Sequence, residues 1–454
     1  MIFRLALLAL MQVPVAPAAP TARGQSYLFF VASEGSDEVA LMRFDGKAIR
    51  VEHRTMFKTV PGDAESSAEI YSPKYLLFDS LAPARNILLS SAHGFSPAAL
   101  MTGPRNLTIA PDGRWYFLTT SHGFPGSELL RVRIAADSAP TNTPSDTVRG
   151  QEALGALPGA VQITPDGIYA WVTNSTGAAD TRTSWVSVVY LPAMVEAGRI
   201  PTCVGGRGSR FTPDGAFHYS LCSADDALVE IDARAMLVAR RLSLSGGGAE
   251  RCEPGALTMV PDGSRLFVTC RKSNEIVEVD RRAWSVTRRL PAGYSPDDLA
   301  TTRDGHTIVV THAAGQVVSL LDAAGPSADK ATLRSPGIAI TPDARYAWLT
   351  VAPTTAQPAR MELFDLASMM VAAAFSVGPI LPDNARAIAP LEAMHGVPAA
   401  VAISSDDRYA FVSFARSGGE AGVVEVIDLA RRAVVASLDF GRGLAGIAFW
   451  KVSN

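Results

Sequence analysis

The chain has 454 residues, of which 48% are hydrophobic and 19% are charged, and its formal net charge is −3. Its 41 Lys and Arg residues do not outnumber its 44 Asp and Glu residues, so the sequence lacks the basic surface that a nucleic-acid partner requires. We therefore expect no nucleic acid among its partners.

The first 24 residues are typical of a secretory signal peptide. One Arg precedes an apolar stretch from Leu5 to about Val13, and a run of Pro and small residues follows. This stretch is too short to span a bilayer, and no later run is long and apolar enough. The sequence predicts a signal peptide over 1–24, a periplasmic or secreted location, and no transmembrane segment.

A turn written PDG, or a near variant, recurs along most of the chain and is followed each time by a β-rich run. Its aspartates are Asp112, Asp166, Asp214, Asp262, Asp304, Asp343 and Asp406, which lie 39 to 63 residues apart. In such a turn Pro presets φ, Asp binds its own following backbone and Gly takes positive φ, so we interpret these aspartates as structural rather than catalytic. Short strands repeated at this period predict a β-propeller.

The two ends of the repeat region complement each other. Residues 26–57 match the second, third and fourth strands of a unit, and residues 443–450 match a first strand that no second strand follows. Pairing of 443–450 with 27–33 would close the ring and remove two exposed sheet edges. The sequence therefore predicts an all-β protein in which 25–454 form one propeller of eight four-stranded blades. Seven blades is the alternative, if the unit around Asp112 or Asp304 is not a true blade.

Two segments interrupt the repeat, at 58–103 and at about 378–397. Both fall between the fourth strand of one unit and the first strand of the next. Connections of this length in a compact domain are commonly either functional caps or mobile excursions. We expect both insertions to emerge on the face that carries the binding site.

The strings AWVTNS (170–175) and LFVTC (266–270), each just after a PDG turn, resemble the YVTN-repeat, YncE-like β-propellers. The resemblance covers nearly all the chain after residue 24. It implies the fold rather than a function, because that family consists mostly of uncharacterised exported proteins and surface-layer modules. Related propellers bind haem or a copper cluster through histidines, and this chain departs from that pattern: it has seven histidines, of which His218 and His306 lie beside PDG turns. We therefore predict no cofactor.

The four cysteines lie at matching places in neighbouring units. Cys203 and Cys252 come shortly before their PDG turns, whereas Cys222 and Cys270 come eight residues after theirs. The hairpin of first and second strands brings these positions together, so the spacing favours the disulfides Cys203 to Cys222 and Cys252 to Cys270. Disulfides are typical of exported proteins, and one that closes a loop of roughly 20 residues contributes about 3 kcal/mol.

A metal site is the alternative use of these cysteines. His312 also lies eight residues after its turn aspartate, so Cys222, Cys270 and His312 would share one rim on three successive blades. Thiolates and an imidazole suit copper or zinc. Equivalent points on adjacent blades are about 10 Å apart, however, so one ion could bind all three only if the backbones shifted. Reduced thiols without a metal are the third alternative.

The start of each first strand, seven residues before the turn aspartate, should line the mouth of the central channel. That position holds Arg105, Gly159, Arg207, Gly255, Asp297, Pro336, Ala399 and, in the closing strand, Gly443. Arginines at such a mouth could clamp a carboxylate or phosphate. The alternative is a solvated rim whose charges pair with Asp297, Asp298 or Asp225. The candidate ligand-binding residues are Arg105, Arg207, Arg210, Arg442 and His122.

The sequence contains no GxSxG elbow, HExxH motif or phosphate loop. We therefore predict an exported, monomeric, non-catalytic propeller that binds an unknown protein or a small anionic ligand through its insertion-bearing face. The alternative from another class is a lactonase-like hydrolase or a copper or zinc protein that uses Cys222, Cys270 and His312.

Overall fold

A computed structural model describes a defined part of the chain, within which all regular secondary structure is β-strand. The described residues are 25–33, 38–56, 76–79, 86–89, 104–120, 128–133, 148–150, 157–175, 183–246, 251–302, 304–312, 317–324, 329–334, 337–341, 343–351, 358–377, 397–415, 421–442 and 444–453. No helix capable of crossing a membrane is found in these ranges. The predicted signal peptide, most of the 58–103 insertion and nearly all of the second insertion lie outside them.

The strands form eight antiparallel sheets, which we number as blades 1 to 8. Blade 1 contains β1 (Ser26–Ser33), β2 (Glu38–Phe44) and β3 (Ile49–Met56). Blade 2 contains β4 (Leu76–Asp79), β5 (Asn86–Leu89), β6 (Pro104–Ile109), β7 (Trp115–Thr120), β8 (Glu128–Arg133) and β9 (Val148–Gly150). Blade 3 contains β10 (Leu157–Ile163), β11 (Tyr169–Ser175), β12 (Trp185–Tyr190) and β13 (Val195–Pro201). Blade 4 contains β14 (Gly206–Phe211), β15 (Phe217–Cys222), β16 (Ala227–Asp232) and β17 (Leu237–Ser243).

The second half of the chain repeats this order. Blade 5 contains β18 (Pro254–Met259), β19 (Arg265–Cys270), β20 (Glu275–Asp280) and β21 (Ser285–Pro291). Blade 6 contains β22 (Pro296–Thr301), β23 (Thr307–His312), β24 (Val317–Asp322) and β25 (Asp329–Arg334). Blade 7 contains β26 (Gly337–Ile340), β27 (Tyr346–Val351), β28 (Arg360–Asp365) and β29 (Met370–Ser376). Blade 8 contains β30 (Val397–Ile403), β31 (Tyr409–Ala415), β32 (Ala421–Asp428) and β33 (Ala433–Arg442), and the last strand is β34 (Leu444–Ser453).

The last strand completes the first blade, as the sequence predicts. β34 pairs antiparallel with β1, so that Val31 faces Ile447 and Phe29 faces Phe449, and β1 has a partner on each edge. Phe29 also packs on Phe411 of blade 8, with ring centroids 4.4 Å apart. The units around Asp112 and Asp304 both form sheets, so the eight-blade prediction is confirmed over the described residues.

Blade 2 has six strands, whereas the sequence predicts four. β4 and β5 come from the 58–103 insertion and add to the inner side of β6, in the order β4-β5-β6-β7-β8-β9. Cα atoms of β4 come within 8 Å of those of β22, β26 and β34 in other blades. Part of the insertion therefore extends blade 2 inward beyond β6, towards the strands β22, β26 and β34 of other blades. No PDG turn marks these two strands, which is why the repeat pattern does not reveal them.

The PDG turns owe their shape to bonds within each turn, as Asp166 illustrates. Its Oδ1 accepts hydrogen bonds from the Ile168 N–H at 2.9 Å and from the Thr164 hydroxyl at 2.5 Å. Gly167 has φ +72°, a conformation that an L side chain disfavours, and its N–H donates to the Thr164 carbonyl at 2.8 Å. The same Thr-to-Asp bond recurs at Asp214, Asp304 and Asp343. These aspartates therefore shape hairpins, as predicted.

The apolar core lies between neighbouring blades. Leu221 and Leu228 of blade 4 belong to the same buried cluster as Leu257, Leu266 and Val277 of blade 5. Strands in the middle of each sheet, such as β15 and β19, are buried on both faces, whereas the outermost β17 alternates exposed and half-buried residues. Burial of both faces leaves strand ends, connecting loops and the outermost strands as the accessible surface.

Candidate functional site

Both predicted disulfides are present, and each lies within one blade. Cys203 bonds to Cys222 in blade 4, with Cα atoms 5.7 Å apart. Cys252 bonds to Cys270 in blade 5, with Cα atoms 4.4 Å apart. Each bond links the loop that leads into a first strand to the end of the second strand. The two disulfides therefore fix the starts of β14 and β18.

The structure does not bring Cys222, Cys270 and His312 together as a set of metal ligands. Both sulfurs are used in disulfides, and the ring nitrogens of His312 lie 2.8 Å from the Tyr294 carbonyl oxygen and 2.8 Å from the Ser319 hydroxyl. Over the part of the chain that the structure describes, no group of three or more His, Cys, Asp or Glu residues is arranged to hold a metal ion. His312 instead fastens the loop before β22.

β-Bulges mark the start of the first strand in six repeat units. The pairing register shifts at the same place in β6, β10, β14, β18, β22 and β30. Each shift spans the position seven residues before the turn aspartate, which is the predicted mouth position. We call this ring the bulge rim, and its residues are Arg105, Gly159, Arg207, Gly255, Asp297 and Ala399. A bulge bends its strand and re-aims the side chain that it carries, so the rim is suited to present functional groups.

Threonine hydroxyls from second strands hold the bulge rim in place. The Thr173 hydroxyl donates to the carbonyl of Arg207 in the next blade at 2.7 Å, and the Ala256 N–H donates to the Thr269 hydroxyl at 2.8 Å, beside Gly255. Both threonines are buried. Each lies seven residues after its turn aspartate, and each is the threonine of a YVTN-like string. That position was the available sequence signal for a role that sequence reasoning missed.

An ion pair on the bulge rim joins blades 5 and 6. Arg271, which sequence reasoning did not identify, follows β19, and its Nη2 lies 2.5 Å from Oδ1 of Asp297. The two side chains are only 9% and 11% exposed. Gly255 lies between them, and a Cβ there would be 3.2 Å from Cδ of Arg271 and 3.3 Å from the Asp297 carbonyl oxygen. Because Gly255 has no side chain, the Arg271 side chain has room to reach Asp297 in the next blade.

Arg207 is a half-buried cation on the same rim. Within the described ranges its side chain makes no hydrogen bond or ion pair. Desolvation and the neighbouring Arg271 guanidinium lower the pKa of Arg207, whereas Asp297 and Glu253 act in the opposite direction. Because Asp297 is already bonded to Arg271, the charged Arg207 is in contact with no carboxylate of the described ranges. A desolvated charge of this kind is costly until a counter-charge binds it.

The structure describes two of the other predicted ligand-binding side chains, Arg210 and Arg442. Arg210 is buried, and its Nε donates to the Leu257 carbonyl in blade 5 at 3.4 Å, so it serves the contact between blades 4 and 5. Arg442 is exposed, and its backbone N–H and carbonyl bond to the Ser33 hydroxyl at 3.0 and 2.6 Å. The side chain of Arg105 and the whole of His122 lie outside the described residues.

Comparison with known proteins places the chain by its fold. No protein-family model matches it, and no curated protein matches it in sequence. Solved structures do match, among them the dihydro-haem d1 dehydrogenase NirN in complex with DHE, at a TM-score of 0.57 and 15% identity over 96% of this chain and 77% of that chain. The class that the fold defines is therefore the β-propeller.

Two further solved structures match with lower TM-scores. A functionally unknown protein from Desulfotomaculum acetoxidans matches at 0.48 and 13% identity, over 94% of this chain and 99% of that chain. The periplasmic gluconolactonase PpgL of Pseudomonas aeruginosa matches at 0.45 and 17% identity, over 68% of this chain and 96% of that chain. At these identities the similarity concerns the fold alone.

Proposed function

We propose that this β-propeller is an exported, non-catalytic binding module that takes a small anionic ligand at the bulge rim, with Arg207 as the anchor. One observation carries the proposal. Among the residues that the structure describes, no counter-charge is in contact with the half-buried Arg207 guanidinium, which lies beside a second guanidinium whose carboxylate partner is already bound to it.

The chemistry of arginine supports an oxyanion as the ligand. The planar guanidinium offers N–H donors in a fork that matches a carboxylate or phosphate in bidentate fashion. The backbone of Arg207 is already held by Thr173, so less conformational freedom is lost when a ligand binds.

Export is supported by two independent features. The N-terminal sequence has the pattern of a signal peptide, and the protein forms two disulfides, which persist in oxidising compartments. We accordingly propose a periplasmic or secreted location; a monomeric state without a cofactor stays a prediction from the sequence. We also group it with the YVTN-repeat propellers, a grouping that the rim contacts of Thr173 and Thr269 support.

Calorimetric titration with inorganic phosphate, acetate and succinate tests the proposal. We expect Arg207→Gln to lower the affinity for the tightest-binding of these anions at least about tenfold, because hydrogen bonds to a charged group contribute roughly 1.5–3 kcal/mol. Arg207→Lys should give an intermediate affinity, because it keeps the charge and loses the fork. Arg282→Ala removes an exposed arginine of blade 5 and is the matched control. Equal affinities of the wild type and Arg207→Gln would contradict the proposal.

A further inference from the structure

We infer that the ligand of the bulge rim is a zwitterion, a small molecule that carries a carboxylate or phosphate for Arg207 and a protonated amine for Glu253. The inference rests on the proposed function and names the chemical class of the ligand. It derives from a second charged side chain at the same site, which the anion alone does not use.

Glu253 is a half-buried acid whose backbone is firmly held. It directly follows Cys252 of the blade 5 disulfide, and its N–H donates to Oδ1 of Asp226 at 2.8 Å. Its carboxylate makes no hydrogen bond or ion pair with any residue that the structure describes. The position of this carboxylate is therefore set by the backbone rather than by a protein cation.

The backbone conformation of Glu253 shows that its side chain is placed at a cost. Glu253 has φ +49°, in the left-handed region. The equivalent residues of blades 4 and 6, each two positions before the bulge residue, are Gly205 with φ +75° and Ser295 with φ +47°. Glycine adopts this conformation without strain, and a residue with a long side chain does not. Other residues with long side chains, such as Met236 and Trp284 in turns, also adopt it, so the conformation places the Glu253 backbone and does not by itself mark a site.

Arg251 pairs with Asp226 at 3.1 Å, so among the described charged residues of the site Arg207 and Glu253 are the cation and the anion without an ion pair. Arg271 and Asp297 neutralise each other in their ion pair. Gly208, next to Arg207, packs closely on blade 5: a Cβ there would lie 2.9 Å from the carbonyl oxygen of Gly255, two residues after Glu253. Glu253 also opposes the lowering of the Arg207 pKa, and no ion pair joins the two side chains in the described structure. Thr173 holds the Arg207 backbone, and the disulfide and Asp226 hold that of Glu253, so the two side chains start from fixed backbone positions.

A ligand with both charges satisfies both side chains at once. A simple anion would be attracted by Arg207 and repelled by Glu253, whereas a zwitterion gains from each of them. Acidic side chains are the ordinary partners of protonated amines, as guanidinium groups are of carboxylates and phosphates. Free amino acids and aminoalkyl phosphates share this chemistry.

Titration with a matched series of small molecules tests the inference. Glycine, β-alanine and 4-aminobutyrate set the ammonium at increasing distances from the carboxylate, and O-phosphoethanolamine replaces the carboxylate by a phosphate. Acetate, inorganic phosphate and ethylamine are the half-ligands. We expect one of the zwitterions to bind at least about tenfold more tightly than its half-ligands, which corresponds to one additional charge-assisted contact.

Two substitutions at one position isolate the amine contact. Glu253→Gln should lower the affinity for the best zwitterion to that of its half-ligand, while acetate binds as well as before or better because a repelling charge is gone. Glu253→Gly removes the side chain and relieves the left-handed backbone, so it should fold at least as stably and show the same loss.

The outcomes separate the inference from the proposed function. If zwitterions bind no better than half-ligands, or if both Glu253 variants bind them like the wild type, the inference is wrong. Should Arg207→Gln still weaken acetate or phosphate in that case, the anion site stands without the amine contact. If Arg207→Gln changes nothing, the proposed function fails as well.

Discussion

The Thr173 hydroxyl donates a 2.7 Å hydrogen bond to the backbone carbonyl of Arg207, and so links the second strand of blade 3 to the bulge of blade 4. The anchor proposed for the ligand is thus positioned by a neighbouring blade rather than by its own sheet alone. We therefore expect the affinity of the proposed site to depend on how the two blades pack.

We predict that Thr173→Val destabilises the protein and lowers its affinity for the anion that Arg207 binds. Valine keeps the buried shape of threonine and leaves the Arg207 carbonyl without this donor, which should cost about 1–3 kcal/mol of unfolding free energy. Urea denaturation and phosphate titration measure the two effects. Thr173→Ser keeps the hydroxyl and should bind phosphate as the wild type does. If valine and serine variants bind alike, the link does not position the anchor.

His218 should make the protein sensitive to acid. Its ring is fully buried, 4.9 Å from Trp171 and 4.8 Å from Phe211 between ring centroids, and neither ring nitrogen has a hydrogen-bond partner in the described structure. Desolvation lowers the pKa of His218 from 6.5 to about 3. The neutral ring is therefore favoured in the folded state. The stability that the neutral His218 ring contributes is fully present above about pH 6.5 and is lost as the pH falls towards 3.

The substitution His218→Phe should remove this pH dependence. Between pH 6.5 and pH 4 the unfolding free energy of the wild type should fall by about 1.4 kcal/mol per pH unit relative to the variant. In this range His218 becomes protonated in the unfolded chain but stays neutral in the folded one. Urea denaturation at pH 7, 5.5 and 4 measures the difference. His306→Phe, at an exposed histidine, controls for the loss of a histidine as such. Parallel pH profiles for wild type and His218→Phe would contradict the prediction.

The disulfide of blade 5 should matter more for binding than that of blade 4. Glu253 and Arg271 directly follow Cys252 and Cys270 in the chain, whereas Arg207 lies four residues after Cys203. Replacement of either cysteine pair by serine should lower the unfolding free energy by about 3 kcal/mol, because the two loops are of similar length. Only the Cys252 and Cys270 replacement should also remove the preference for a zwitterion. The measurements are denaturation in guanidinium and titration with the amino-acid series; equal binding losses in the two variants would oppose this ranking.

The sequence predicts the architecture because the signals for it are local. A PDG turn needs only Pro, Asp and Gly in order, and its repetition gives the number of sheets. The N-terminal unit lacks a first strand and the C-terminal segment supplies an extra one, so the sequence predicts that β34 pairs with β1. The disulfides follow from hairpin register, since Cys222 faces Gly206 and Cys270 faces Pro254 in the ladders.

The site is harder to predict because its contacts cross blade boundaries. Sequence reasoning identified Arg207 and Asp297 from their place before the turn. It missed Arg271 and Glu253, because their roles depend on the gap left by Gly255 and on the left-handed loop after Cys252. Arg210 lies near Arg207 in the chain, whereas in the structure its side chain reaches the Leu257 carbonyl of the neighbouring blade. Such differences arise from bulges, which a period-two strand pattern does not reveal.

Closure by β34 sets Ser26 directly opposite Ser453 in an antiparallel ladder. Residues 26 and 453 therefore lie side by side in one blade. A short peptide linker could join them, and new termini could then be cut into an exposed hairpin elsewhere, for example at Arg282 in blade 5. Circular permutants of this kind would keep every sheet intact while they change which strand is made first by the ribosome.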